Sequence, residues 1–61
     1  MAEAQTYGTA VLRLISLSEE HRPAIVAAGA IRYLLPLLDA KSSPARWNTR
    51  QALINLSMSP D

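Results

Sequence analysis

Apolar residues in the middle of the chain recur at helical intervals, with Ile31, Leu34, Leu35 and Leu38 at i, i+3, i+4 and i+7, the spacing that lines one face of a helix. Pro36 sits inside this run and removes a backbone donor, which predicts a kink or an early end. Ser43-Pro44 marks a second start, because Ser caps free amides and Pro is preset for the first helical position. Ala45, Thr49, Ala52, Leu53 and Leu56 then form another apolar face and Pro60 closes the element, predicting a helix over 44–58. Nearer the front, Ala10, Val11, Leu14, Ile15 and Leu17 predict a helix over 3–17, with Gly8 as a weak spot. A short helix fits Arg22 to Ala28, since Pro23 is tolerated in a first turn. Gly29 then breaks the chain, as the residue that bends into the left-handed region without steric cost. The expectation is four helices and no strand.

The 44–58 helix carries two further stripes. Trp47, Ile54 and Met58 recur at i, i+7 and i+11, about 180° from the stripe of Thr49, Ala52, Leu53 and Leu56. One unit cannot bury both sides, so Trp47, Ile54 and Met58 are expected to meet a neighbouring repeat or, in the isolated chain, another copy, making it a homo-oligomer; the alternative is an isolated chain that is only marginally folded. Asn48, Gln51 and Asn55 fall within roughly 60° of one another and make a polar stripe; a solvated face is its plainest reading.

Sliding the chain by 41 positions lays Val11 to Ser18 over Ala52 to Ser59, matching Leu12 with Leu53, Ser16 with Ser57 and Ser18 with Ser59. Three further pairs are apolar in both copies. A period near 40 residues belongs to helical solenoids.

The stretch Glu20-His21-Arg22-Pro23-Ala24-Ile25-Val26-Ala27-Ala28-Gly29-Ala30-Ile31 resembles the armadillo-repeat segment "ENRQAIVEAGAI", in which a short first helix turns at Gly into the second. Leu34, Leu35, Leu37 and Leu38 look like that family's second helix, and Gln51-Ala52-Leu53-Ile54-Asn55-Leu56-Ser57 looks like the "WALSNLA" of its third. The resemblance covers residues 10–61 and is closest to the armadillo arrays of plant U-box ubiquitin ligases. It implies an all-α, right-handed solenoid fragment of about one and a half repeats: residues 1–18 as the third helix of a preceding repeat, and residues 19–61 as one complete repeat. It also implies a scaffold that binds an extended peptide or a partner protein along its third helices. Asn55 matches the family asparagine that holds a peptide backbone, an amide able to donate and accept at once. Asn48 and Gln51 then join it on the groove, and the 41-residue shift adds Tyr7 and Leu14 on the earlier helix. Two departures qualify this. Arg32 stands where the family often has Pro, and Gln51 occupies the place of the Trp that nuclear-import adaptors use to clamp lysine stems, so adaptor function is not implied.

Composition trims the alternatives. A chain of 61 residues hides only about 60% of its unfolded surface, and with no cysteine it has no disulfide to compensate. The absence of cysteine fits an intracellular setting, cytoplasmic or nuclear. The run from Ala24 to Ile31 is far short of the roughly 20 apolar residues that span a bilayer, and Met1-Ala-Glu-Ala-Gln lacks the features of a secretory signal. Neither a membrane span nor export is expected. A single histidine, His21, offers neither a metal set nor a base for any of the serines. The serines read as caps, and the only two glycines, Gly8 and Gly29, make no phosphate loop. No enzyme and no cofactor is expected. The rival reading is a small helical bundle binding nucleic acid through Arg22, Arg32, Lys41, Arg46 and Arg50. A net charge of +1 argues against it, because such binding needs several phosphate contacts from one basic face.

Overall fold

The computed structural model describes residues 2–58, and the expectation that Pro60 ends the last helix lies outside them. Four α-helices follow one another: α1 (Ala2–Ile15), α2 (Arg22–Ala27), α3 (Ala30–Leu34) and α4 (Ser43–Ser57). A 3-10 turn over Glu19–His21 leads into α2 and another over Leu35–Asp39 continues α3. No strand forms among the described residues. No helix among them is long and apolar enough to cross a membrane.

The first helix stops two residues before the expected end, and local chemistry explains it. Ser16 turns its Oγ back to donate to the Arg13 carbonyl at 2.8 Å, the competition with the backbone that weakens Ser inside helices. Arg22 then donates from Nε to the Ser16 carbonyl at 2.7 Å and from Nη2 to the Leu17 carbonyl at 3.3 Å. A guanidinium at a helix C-terminus satisfies carbonyls that have no intrahelical donor and suits the negative end of the dipole.

Gly29 takes the left-handed conformation, φ +91°, between α2 and α3. Pro36 ends α3 early, as its missing donor demands, and the chain tightens into the second 3-10 turn. That tightening corrects the expected stripe. Leu34 and Leu37 are buried, Ile31 is half-buried, and Leu35 and Leu38 are exposed. With three residues per turn, i and i+3 eclipse, so Leu37 follows Leu34 inward in place of Leu38.

The cap of α4 also moves by one. Ser42, not Ser43, accepts from the Ala45 amide through Oγ, at 3.2 Å, with Pro44 in the first turn. Arg46 donates to the carbonyls of Ala40 and Lys41 at 2.6 and 3.1 Å and fastens the preceding loop. The expected inner stripe of α4 is in place: Ala45, Thr49, Ala52 and Leu56 are buried and Leu53 is half-buried. Ala52 and Leu56 join Ile25, Ala30 and Leu34 in the core, with Leu12, Ile31 and Leu53 packed around it.

Candidate interaction surface

Helices α1 and α4 lie side by side. The bonded pairs Thr6 with Ser42, Thr9 with Asn48, Ser16 with Asn55 and Arg22 with Met58 rise together in number, so the two helices run parallel. The seam between them is polar. Asn48 accepts from Arg13 Nε at 2.9 Å and donates to the Thr6 carbonyl at 3.4 Å and to Thr9 Oγ1 at 3.5 Å. Asn55 donates from Nδ2 to Ser16 Oγ at 3.0 Å. The hydroxyls of Thr6 and Ser42 share a hydrogen at 2.9 Å. Each buried amide or hydroxyl that finds such a partner escapes most of its desolvation penalty, and the match in position sets the register of the pair.

This geometry corrects the expected amide groove. Asn48 and Asn55 are 6% and 8% exposed, and their amide groups are engaged with α1. Neither an open peptide groove nor a solvated face describes them. Gln51 is half-buried beside them. The other two predicted groove residues lie on the outside of α1, Tyr7 at 70% and Leu14 at 55% exposure. On α1 the stripe that meets α4 is Thr6, Thr9, Arg13 and Ser16. Its spacing of i, i+3, i+7 and i+10 was the available signal, but hydroxyls at such positions ordinarily read as a solvent side.

Outward-facing residues on both helices include large apolar side chains. On α4, Trp47, Ile54 and Met58 are 51%, 49% and 49% exposed. Trp47 is not wholly apart from α1, since the Arg13 guanidinium lies 5.1 Å from its ring centroid, within the range of cation–π attraction. On α1, Tyr7, Val11, Leu14 and Ile15 form the exposed side. Ile15 continues that side into an open hollow of about 470 Å³ lined by Ser18, His21, Ala24, Ile25 and Ala28. Val11 and Ile15 correspond, 41 positions on, to Ala52 and Leu56, which α2 and α3 cover in α4. The equivalent face of α1 is uncovered.

Of the basic residues, Arg22 and Arg46 are tied to opposite ends of α4. Arg22 is committed to carbonyls at the end of α1 and to that of Met58 at the end of α4, whereas Arg46 clips the loop at the start of α4. Met58 lies twelve residue steps beyond Arg46, or about 18 Å at 1.5 Å per step. Arg32, Lys41 and Arg50 are exposed. No continuous phosphate-binding face follows from this placement. His21 is exposed and bonded to Ser18 Oγ at 2.8 Å, and among the described residues no group of three or more His, Cys, Asp or Glu gathers to hold a metal. No family model, no curated protein and no solved structure matches the chain.

Proposed function

We propose that the chain is a protein-interaction unit of the armadillo solenoid type, binding an extended peptide or a partner protein across the outer surfaces of α1 and α4. One observation carries this reading. The two long helices bond Asn48 and Asn55 to Thr9 and Ser16 across their seam and leave large apolar side chains outside, Tyr7, Val11 and Leu14 on α1 and Trp47, Ile54 and Met58 on α4. Single exposed apolar residues are ordinary, but stripes that run along a helix mark interaction sites. The order of a short helix, a left-handed glycine, a second helix and a long third helix supports the solenoid type, as does an earlier long helix parallel to the third. In this reading Asn48 and Asn55 hold neighbouring repeats in register, while Tyr7, Leu14, Gln51, Trp47, Ile54 and Met58 supply the contact surface. The role is one of binding, without catalysis.

Panning a random-peptide phage library on the whole chain tests it. Enriched peptides rich in apolar and aromatic residues are expected, with affinity falling at least tenfold for Leu14→Asp or Ile54→Asp and unchanged for the remote Glu20→Gln. A tenfold loss is about 1.4 kcal/mol, within reach of one contact residue. No enrichment over a helical control protein of matched charge would overturn the proposal.

A further inference from the structure

The seam between α1 and α4 is half of a repeating relation. The residues of α1 that meet α4 are Thr6, Thr9, Arg13 and Ser16. The 41-residue correspondence carries them onto Trp47, Arg50, Ile54 and Ser57, all of them exposed. The residues of α4 that meet α1, Asn48 and Asn55, correspond in the same way to Tyr7 and Leu14, also exposed. The chain thus presents on its α4 side the counterpart of the face it uses on α1, and on its α1 side the counterpart of the face it uses on α4.

We infer that a second copy of this chain docks head to tail, its α1 packing on the outer side of α4 in the register of the internal seam. Repeating those contacts sets Arg50 and Ile54 against Tyr7 of the second copy and Ser57 against its Leu14. Where the internal seam pairs hydroxyls with amides, the external one sets Arg50, Ile54 and Ser57 of α4 against aromatic and apolar side chains of α1. Their burial drives association without requiring every polar group to find a partner, and Arg50 over a tyrosine ring adds a cation–π contact. Charge favours the same polarity. Between Lys41 and Pro60 there is no acidic residue, so two α4 faces brought together would oppose Arg50 to Arg50. The repeated register instead sets Glu3, exposed in the first turn of α1, against Arg46. The contact is heterologous, so each addition leaves both end faces free for another copy.

This inference rests on the proposed binding reading and names its partner. Sedimentation velocity on the whole chain, with Leu14→Asp and Ile54→Asp each blocking one end, tests it. The wild type is expected to grow past dimer mass as concentration rises. Each variant alone should remain monomeric where the wild type is mostly associated, and an equimolar mixture should form a one-to-one complex of twice the monomer mass and nothing larger. A mixture that stays monomeric would overturn the inference. So would one variant that self-associates as the wild type does, because a symmetric contact uses a single face. Both positions are about half exposed; should circular dichroism show either Asp variant unfolded, Leu14→Gln and Ile54→Gln carry the same test with smaller shifts. A wild type that stays monomeric at millimolar concentration, yet binds selected peptides through Leu14 and Ile54, would end the head-to-tail inference and leave the binding reading standing.

Discussion

Gly29 holds φ at +91° with no atom beyond its chain neighbours within 4 Å of where a Cβ would stand, so its requirement is one of backbone conformation and not of space. Gly29→Ala is expected to cost about 1 kcal/mol from left-handed strain, and Gly29→Val more, because a β-branched side chain fits that region worse. Thermal melting followed by circular dichroism measures both, and an unchanged Gly29→Ala midpoint would remove the requirement. Asn55 is a second test at this scale. As a surface amide it would tolerate alanine with little loss of stability. Buried and bonded to Ser16 Oγ, it should instead cost about 1–3 kcal/mol in Asn55→Ala, because the cut leaves a buried partner unsatisfied. Urea unfolding of the variant checks this. Thr49 predicts the opposite sign. It is fully buried, and its Oγ1 has no hydrogen-bond partner among the described residues, so Thr49→Val of nearly equal volume should be neutral or stabilising by about 1 kcal/mol in the same experiment.

At the scale of the helix, neighbouring serines separate cap from bystander. Ser42→Ala should destabilise α4 by about 1 kcal/mol, whereas Ser43→Ala should change stability by no more than a few tenths, because only Ser42 accepts from the Ala45 amide. Equal losses in the two melting curves would mean the cap is shared. This off-by-one shows what local pattern conveys. Pro23, Gly29, Pro36 and Pro44 punctuate the chain through their own backbone chemistry, which needs no knowledge of the rest of the fold, and the four helices stand where they direct. The direction each helix faces depends on which other helix it meets. The contacts that decide this join residues 35 to 42 apart, such as Arg13 with Asn48 and Asn48 with Thr6, and no local period encodes them. Stripes of hydroxyls and amides therefore read as solvent sides although they form the seam. The exposure of Trp47, Ile54 and Met58 was legible, since their helix had already committed its other side to the apolar core. The inward turn of Leu37 was not, because it needs the 3-10 winding that follows Pro36.

The described residues make a long helix pair, α1 and α4, with α2 and α3 closing a small core on one side, Ile25, Ala30, Leu34, Ala52 and Leu56, and with exposed apolar stripes on the outer surfaces of α1 and α4. So small a core leaves little stability to spare, so contacts made by the outer faces add visibly to that total. A large apolar side chain contributes about 1.5–3 kcal/mol when fully buried, and Trp47 and Ile54 have about half of their surface still to cover. Association through these faces, as proposed, would therefore stabilise the fold by mass action. Trp47 is the only tryptophan and stands half exposed on the α4 face concerned, beside the Arg13 guanidinium, so its emission responds when that face is covered. The decisive measurement is Trp47 fluorescence together with the thermal midpoint, followed as the chain is diluted from millimolar to micromolar. A red shift in emission accompanied by a falling midpoint is the predicted result, and an emission maximum and midpoint that both stay constant across that range would contradict the account.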